Sequence, residues 1–412
     1  MRSADGAAGH DVEVAIVGGG PAGAALAIRL AERRRSVAVF ERLPRPRWRA
    51  SGVYSSPLTR RCLAALGLSE QQLERLIRPI SAMVVATADG RATCRLEYPA
   101  PNHACGVDRV RLEEALLDRA RAAGAQVHVG AVVRQVHLTG VPGAPAGLLV
   151  SRSDGPAWWT ARLVVGADGP SSIVARSAGV ALTARRYRQA AVTGHRLDPA
   201  AGAGSEAMEA RLIVGPGWYL GLAPVPGGRV NLGLVLGEAD LREGLLRAGG
   251  LDGVMNRALT AGAGLAGELA AAPASDELDA HLPLLHRVSA AAGPGFMLVG
   301  DACGFVDPIS GEGLHRALVS AELAARAIVA GATDADTVGR DYHHRLRARF
   351  GGKDVLSWLL QVFVHQPWLT RRAMHRLERR PELSRRLARA LADMAPASDV
   401  VNPRFVAALI GP

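Results

Sequence analysis

The sequence predicts an α/β fold in which a Rossmann-like nucleotide-binding domain carries an inserted mixed β-sheet substrate domain and a C-terminal helical region. Three observations predict it. A glycine-rich turn follows an apolar strand near the N-terminus, an Asp-Gly turn follows another at 162–165, and a third apolar strand, 296–299, leads into a loop and a helix. At 412 residues, 49% of them hydrophobic, the chain is too long for one compact lobe.

The first turn has the spacing of a dinucleotide-binding loop. A β-branched run, 12–17, precedes Gly18, Gly20 and Gly23, which fit G-x-G-x-x-G before an Ala/Leu-rich helix predicted at 24–33. The first glycine permits the tight turn, the second lets a pyrophosphate approach the backbone, and the third lets helix and strand pack closely. The next apolar strand, 36–40, ends at Glu41, where an acid can accept hydrogen bonds from ribose hydroxyls.

The segment 295–318 predicts the other half of the site. Its apolar strand ends at Gly300-Asp301, and a helix begins at about Gly313 after a loop that contains Pro and Gly. This layout places a carboxylate at the carboxyl end of a strand and free backbone N–H groups at a helix start. A carboxylate suits the hydroxyls of a ribityl chain, and a helix N-terminus suits the electron-rich pyrimidine edge of a flavin.

A second G-x-G-x-x-G match, 262–267, is interpreted differently. No apolar strand precedes it, and it lies inside an Ala/Leu-rich helical stretch, 254–272, where small residues serve helix packing. The sequence therefore predicts a single nucleotide fold. This argues against a nicotinamide dehydrogenase with two Rossmann domains.

The three elements in this order resemble the FAD-dependent oxidoreductase family of the p-hydroxybenzoate hydroxylase fold, over about 11–331. The resemblance implies non-covalently bound FAD, with NADPH or NADH as the electron donor. It places the glycine-rich loop and Glu41 at the ADP half, the Asp168 turn near the pyrophosphate, Asp301 at the ribityl chain and 311–313 at the flavin ring. It also places Arg109 beside the flavin, although a solvated charge at a helix start is an equal alternative. The implied cofactor residues are Gly18, Gly20, Pro21, Ala22, Gly23, Glu41, Arg42, Arg109, Asp168, Gly300, Asp301, Pro308, Gly311, Glu312, Gly313 and Leu314.

The resemblance also implies a division into domains. A discontinuous FAD-binding domain takes 1–80, 105–180 and 288–335, a substrate-binding sheet domain takes 81–104 and 181–287, and a C-terminal helical region takes 336–412. Within the sheet domain, the sequence predicts a hairpin around Asp89-Gly90 and further strands at 211–214, 218–223 and 230–236. Trp218 and Tyr219 are candidates for the substrate cavity. A large apolar sheet without concentrated charge indicates an apolar aromatic, polyketide or lipid-like substrate.

Single residues help to distinguish three reactions that members of the family catalyse. Halogenation is set aside, because halogenases use a lysine in the N-terminal third and the only lysine here is Lys353. Geranylgeranyl reductases often carry a cysteine after the second strand, where this chain has Ser51, an alcohol and thus a weak acid. Ser51 is the one candidate catalytic side chain.

The loop Pro-Ile-Ser-Gly-Glu-Gly, 308–313, looks more like that of the reductases than like that of the aromatic hydroxylases. Monooxygenation is narrowly favoured. Reduction of isoprenoid C=C bonds is the alternative, and a non-catalytic prenyl-binding escort protein is the second alternative, against which the intact Glu41 and Asp301 argue.

Charge and cysteine content limit the partners. The net charge of +11 comes from arginine, much of it in the C-terminal third with few aromatics among it, so no nucleic-acid partner is predicted. Two interpretations of that region stay open: a solvated helical surface, or peripheral contact with anionic lipid through the apolar run 355–364. The four cysteines show no C-x-x-C spacing, which predicts free thiols and no metal site. The sequence also has no apolar h-region and no apolar segment long enough for a membrane helix, so a cytoplasmic protein is expected. The oligomeric state is left open.

Overall fold

The computed structural model describes residues 10–48, 53–141, 143–182, 188–200, 208–331 and 335–411. The predicted loop 49–52, with Ser51, lies outside the described residues. The strands are β1 His10–Val17, β2 Val37–Glu41, β3 Tyr54–Ser55, β4 Ile77–Thr87, β5 Thr93–Glu97, β6 Ala104–Val107, β7 Gln126–Val129, β8 Val132–His137, β9 Ala146–Arg152, β10 Gly155–Gly166, β11 Ala181–Leu182, β12 Gln189–Leu197, β13 Met208–Gly215, β14 Trp218–Val225, β15 Arg229–Gly237, β16 Asp279–His281, β17 Arg287–Val288, β18 Ala292–Gly293 and β19 Phe296–Leu298.

Helices lie between the strands along the chain, and the residues after 335 are mostly helical. Short 3-10 turns occupy Gly300–Cys303, Pro308–Ser310 and Ala397–Asp399. The α-helices are α1 Pro21–Ala31, α2 Leu58–Ala64, α3 Glu70–Leu76, α4 Arg109–Ala122, α5 Ile173–Ser177, α6 Glu238–Ala248, α7 Leu251–Ala261, α8 Ala263–Ala271, α9 Gly313–Ala330, α10 Ala335–His365, α11 Pro367–Arg379, α12 Pro381–Leu391 and α13 Pro403–Ile410.

The first sheet has eight strands and forms the nucleotide-binding part. Its path runs β18-β19-β10-β1-β2-β7, and β9 and β8 extend from β10. Strands β19, β10, β1, β2 and β7 are parallel, with Val17 opposite both Gly166 and Phe40, and Gly166 opposite Leu298. Four carboxyl ends therefore lie level at one edge of the sheet. Helices α1, α4 and α9 pack on one face of it, which confirms the predicted Rossmann-like fold.

The second sheet has nine strands. Its path runs β16-β12-β15-β14-β13-β4-β6-β3, and β5 pairs with β4. The predicted hairpin around Asp89-Gly90 is present as β4 and β5, and the three later predicted strands are present as β13, β14 and β15. Helices α6, α7 and α8 cover one face, and α10 to α13 pack toward the other. Among the described residues, no helix combines the length and the apolarity needed to cross a bilayer.

The second glycine match serves packing, as predicted. Gly262 separates α7 from α8, and a Cβ there would lie 2.6 Å from Cδ1 of Ile213 on β13. Because that distance is far shorter than a van der Waals contact, a larger residue would push the helices away from the sheet.

Two short strands differ from the predicted domain boundaries. β3 and β6 belong to the large sheet, since β6 pairs with β4 and β3 with β6. The sequence analysis assigned all of β3 and most of β6 to the FAD-binding segments. Strands of two and four residues carry too little periodicity to be assigned from sequence, and their partners are set by the tertiary fold.

Candidate functional site

The glycine-rich turn connects β1 to α1, and packing dictates two of its three glycines. Gly18 has φ +104°, and a Cβ there would lie 2.5 Å from the carbonyl oxygen of Ala167. A Cβ on Gly23 would overlap the carbonyl oxygen of Gly18. Above Gly20, in contrast, nothing lies within 4 Å of the Cβ position. The turn thus offers open space to a ligand at the N-terminus of α1, where Pro21 is the first residue and backbone N–H groups attract anions.

Glu41 ends β2 directly beside this turn. Its side chain is buried, Oε2 accepts a hydrogen bond from the backbone N–H of Gly19 at 2.8 Å, and Oε1 accepts one from Leu43 at 3.0 Å. A carboxylate can accept about four hydrogen bonds, so both oxygens keep capacity for ribose hydroxyls. Arg42, the next residue, is exposed. The contacts of Glu41 hold the carboxylate in place before any ligand binds.

Asp168 follows β10 and adjoins the same turn through Ala167. Its Oδ2 accepts a hydrogen bond from the backbone N–H of Ile173 at 2.7 Å. Its Oδ1 is buried without a hydrogen-bond partner in the described part of the chain, and burial raises the pKa of the carboxyl group. An unsatisfied buried acceptor indicates that a polar group from outside the protein completes the site.

Asp301 lies in the 3-10 turn that follows β19. Gly300 before it has φ +61° and donates its N–H to Ser320 Oγ at 2.8 Å, which fixes the turn against α9. Burial raises the pKa of Asp301, and the positive charges of Arg316 and then Arg109 oppose that rise. Arg109 itself is 14% exposed and donates a hydrogen bond to Glu113 Oε1 at 3.0 Å, one turn along α4.

The loop before α9 combines an open backbone with a buried side chain. Gly311 has φ +66°, and the ring of Tyr54 covers the position where its Cβ would be. Above Gly313 nothing lies within 4 Å of the Cβ position, and Leu314 is buried. The carboxylate of Glu312 accepts a hydrogen bond from Lys353 Nζ at 2.6 Å and so faces the C-terminal helices. The backbone at Gly313 is therefore open to a ligand, whereas the side chain of Glu312 is held by Lys353.

These features fit FAD. The open spaces above Gly20 and Gly313 and the unpaired oxygen of Asp168 lie along one edge of the sheet, with Glu41 at the second strand and Asp301 at the last. A family model described as "FAD binding domain" matches residues 11–208, which include the glycine-rich turn, Glu41 and Asp168. Residues 11–208 thus form an FAD-binding domain, and the chain is similar to FAD-dependent oxidoreductases of the p-hydroxybenzoate hydroxylase fold.

Similar proteins of this family catalyse different reactions. Digeranylgeranylglycerophospholipid reductase 2 of Methanopyrus kandleri is 28% identical over 351 residues, which are 83% of each chain. The 3-amino-4-hydroxybenzoate 2-monooxygenase of Streptomyces cremeus is 32% identical over 231 residues, 53% of this chain and 55% of that one. A solved flavoprotein/dehydrogenase from Cytophaga hutchinsonii shares the fold with a TM-score of 0.78 at 17% identity, covering 97% of this chain and 95% of that one. The cofactor of this oxidoreductase is FAD.

The two aromatic candidates for the substrate cavity lie on opposite faces of the large sheet. Trp218 packs over Gly215 on the face that α6 to α8 cover. Tyr219 is buried on the other face, and its hydroxyl donates a hydrogen bond to Asp307 Oδ1 at 2.6 Å. Of the two, only Tyr219 reaches the loop assigned to the flavin. Consecutive residues of a strand point in opposite directions, so a cavity at this loop would be lined by Tyr219 and not by Trp218.

Two buried charged residues were missed in the sequence analysis. Asp307 begins the flavin loop: its Oδ1 also accepts a hydrogen bond from the Ile309 N–H at 2.9 Å, which caps the 3-10 turn. The Asp-Pro dipeptide at 307–308 is a turn-starting signal that could have indicated it. Lys353 on α10 is 3% exposed and contacts Glu312 and Asp393. The sequence signal for Lys353 was that it is the single lysine of a chain rich in arginine and lies just before the apolar run 355–364.

Glu41→Ala is expected to weaken FAD binding. The substitution removes charge-assisted hydrogen bonds to the ribose and loosens Gly19, at a cost of about 1.5–3 kcal/mol, or roughly 10- to 150-fold in Kd. Titration of apoprotein with FAD measures this loss. Glu114→Ala, which removes an exposed acid on α4, serves as the control. Unchanged FAD affinity in the Glu41 variant would exclude the residue from the site.

Proposed function

We propose that this FAD-dependent oxidoreductase is a monooxygenase that hydroxylates an apolar aromatic, polyketide or lipid-like substrate with NADPH or NADH as electron donor. One oxygen atom enters the substrate, the other leaves as water, and the nicotinamide supplies the two electrons. The observation that carries the proposal is the buried Tyr219–Asp307 pair beside the flavin loop. Bound FAD would supply the redox chemistry and the activation of dioxygen.

The pair lies in apolar surroundings. Tyr54, Phe305 and Ile309 belong to the same cluster between the large sheet and the C-terminal helices. Burial raises the pKa of Asp307 to about 6, and the hydrogen bond from Tyr219 opposes that rise. The other oxygen, Oδ2, is buried, and a hydrogen bond from the Gln361 side chain also lowers the pKa of Asp307. A carboxylate can accept about four hydrogen bonds, so these contacts leave it acceptor capacity. Asp307 is therefore a carboxylate that is mostly ionised at pH 7, with an acceptor site to spare.

Such a group serves better as a base than as an acid. A general base is most effective when its pKa lies near the working pH, and Asp307 meets that condition. The hydroxyl of Tyr219 already donates its proton to a carboxylate, which makes Tyr219 a poor proton donor to substrate. Removal of a proton from a phenolic hydroxyl makes the aromatic ring more electron-rich and easier to hydroxylate. The geometry supports proton acceptance, as hydroxylation of a phenol requires.

Reduction of an isoprenoid C=C bond is the second candidate. Its support is the reductase of M. kandleri, which matches over 83% of both chains. That reaction needs a proton donor, and Cys303, the thiol beside the flavin loop, is a poor one. Its Sγ donates to the Gly300 carbonyl at 2.9 Å, and burial raises its pKa to about 11. A prenyl-binding escort protein is a weaker candidate, since the contacts of Glu41 and the Asp301 turn are formed.

The two reactions predict opposite oxygen and pH dependences. We expect a long-chain alkylphenol to gain one atom of 18O from labelled dioxygen, with kcat/KM falling below about pH 6 as Asp307 becomes protonated. Asp307→Asn should lose about 10²–10⁴-fold in rate together with that pH limb. Tyr219→Phe should move the limb to higher pH, because the bond that lowers the pKa of Asp307 is gone. Anaerobic formation of a product with two added hydrogens, faster at low pH, would establish the reductase instead.

We also propose that the protein docks on an anionic membrane surface from which it takes its substrate. Val355, Trp358 and Val362 lie three and four residues apart on one face of α10 and are 53%, 38% and 51% exposed. Trp368 on α11 adds a 57% exposed indole. Between 350 and 368 the Asp, Glu, Lys and Arg residues are Lys353, which is buried, and Asp354, whose 35% exposed side chain pairs with Arg316.

The ends of this apolar face carry the complementary charge. Arg347 precedes it and Arg372 follows it, and both are exposed. Tryptophan prefers the membrane interface, and each arginine near an anionic surface adds about 1 kcal/mol. An interface with a second copy of the protein would not require exposed indoles flanked by arginines. An anionic bilayer accounts for both the indoles and the arginines.

Vesicle sedimentation measures the docking. The protein should bind vesicles in which roughly 30% of the lipid is anionic phosphatidylglycerol. It should bind them more tightly than vesicles of pure phosphatidylcholine. Serine at Trp358, Val362 and Trp368 together should abolish the difference. Serine at Trp158 and Leu246, which are 45% and 88% exposed on other elements, is the matched control. Equal sedimentation of both variants would contradict the proposal.

A further inference from the structure

An open cleft of about 680 Å³ lies near the start of α4, apart from the FAD site. Helices α2 and α3, strands β4 and β6 and the loop 101–103 form its walls, together with the turn between β14 and β15. Four prolines at these walls, Pro57, Pro79, Pro101 and Pro226, restrict the backbone around it. Its volume is in the range of small-molecule sites.

The cleft is strongly basic. Its lining contains five arginines and one acid, Glu74, which with neutral His103 is a formal charge of +5 − 1 = +4. The arginines come from separate elements: Arg60 and Arg61 from α2, Arg75 from α3, Arg78 from β4 and Arg111 from α4. Like charges collected in one concave site repel each other, and a bound anion relieves that repulsion.

Protein carboxylates neutralise only part of this charge. Arg60 pairs with Glu70 outside the cleft lining, and Arg111 lies 3.7 Å from Asp108. Arg61 donates to the neutral amide of Asn102 at 3.3 Å, and its side chain is exposed to solvent. Glu74, the acid of the lining, is exposed as well.

The position of the cleft connects it to the flavin loop. Cys105 lines the cleft on β6 and pairs with Ser55 on β3. Tyr54, the neighbour of Ser55 on β3, is the residue whose ring covers Gly311. One strand pair therefore separates the cleft from the loop at the flavin ring.

We propose that this basic cleft binds the phosphate or pyrophosphate group of a second ligand, separate from FAD. Arginine presents several N–H donors in a planar fork that matches phosphate oxygens, and clustered arginines select phosphorylated ligands. Two sources supply this chemistry beside the flavin: the dinucleotide that donates electrons, and the head group of a phosphorylated lipid substrate. Both carry a phosphate group at one end and a reactive group at the other.

Calorimetric titration of FAD-loaded protein with inorganic pyrophosphate tests the site directly, without any assumption about the reaction. We expect binding that weakens as salt increases. Arg61→Glu with Arg75→Glu should lower the affinity at least about tenfold, because at least one charged hydrogen bond is lost. Arg134→Glu with Arg162→Glu, the same charge change at exposed positions on β8 and β10, should leave it nearly unchanged. FAD content and thermal unfolding show whether each variant is folded.

Two further arms identify the source. If the ligand is the dinucleotide, the cleft variant should need a higher NADPH concentration for half-maximal flavin reduction, with the rate at saturation retained. If it is the lipid, the variant should lose affinity for geranylgeranyl diphosphate while NADPH reduction stays as in the parent. No pyrophosphate binding by the parent protein, or equal affinity in both double variants, would overturn the proposal. A failure of hydroxylation alone would leave these binding results unaffected.

Discussion

Asp301→Ala is expected to purify with most of its FAD missing. In the parent protein Asp301, a partly buried carboxylate just after β19, carries a desolvation cost that raises its pKa, and Arg316 and Arg109 are charges that favour its ionised form. Two hydroxyls of the ribityl chain would repay that cost with charge-assisted hydrogen bonds of about 1.5–3 kcal/mol each. The ratio of flavin absorbance to protein absorbance, before and after added FAD, measures the loss.

The apoprotein distinguishes lost binding from lost folding. Because the ionised form of Asp301 is disfavoured by burial, alanine should leave the thermal stability of the apoprotein equal to or above that of the parent. Asp301→Asn, which keeps an acceptor oxygen, should retain an intermediate amount of FAD. A fully loaded and active Asp301→Ala protein would show that the turn at 300–303 is only structural.

Lys353→Met is expected to lower the free energy of unfolding by about 3–5 kcal/mol, the cost of breaking a buried ion pair from one side. Lys353 Nζ donates to Glu312 at 2.6 Å and to the Ala390 carbonyl at 2.6 Å, and it lies 3.1 Å from Asp393. The side chains of the three charged residues are at most 8% exposed. Methionine fills similar space but leaves Glu312 without its ion-pair partner and Asp393 with Arg349 alone, at 3.5 Å. Urea unfolding of FAD-loaded protein measures the change.

The pH dependence of that deficit has a definite sign. Burial already raises the pKa of Glu312 to about 6 with Lys353 present, and loss of the cation should raise it further. A carboxyl group whose pKa is higher in the folded state than in the unfolded state binds more protons when the protein is folded. The free energy of unfolding therefore declines as the pH rises between the two pKa values. The deficit should therefore be larger at pH 8 than at pH 5.

Matched variants separate charge from packing. Lys353→Met combined with Glu312→Gln and Asp393→Asn should recover part of the loss, since no buried charge of this group is then unpaired. Arg326→Met, which breaks the exposed ion pair with Glu322, should change stability by no more than about 1 kcal/mol. A Lys353 deficit as small as that of Arg326 would contradict the buried ion-pair interpretation.

The nucleotide half of the site follows from the sequence because its determinants are local. A strand, a tight turn and a helix within about twenty residues specify where Gly18, Gly20 and Gly23 must lie, and the same holds for the strand and turn at Asp301. Parallel strands then bring Glu41, Asp168 and Asp301 to one edge of the sheet, as the family resemblance implied. The helical nature of the C-terminal region likewise follows from its composition.

The substrate side was decided by the tertiary structure. Tyr219 and Asp307 are 88 residues apart, and Glu312 and Lys353 are 41 apart, so no local pattern couples them. The sequence could place Trp218 and Tyr219 on one strand, but which of them faces the flavin loop depends on what packs against each side of the sheet. A buried carboxylate acquires its partner, its raised pKa and its chemical role only when distant segments exclude water around it, and that exclusion is a property of the folded chain.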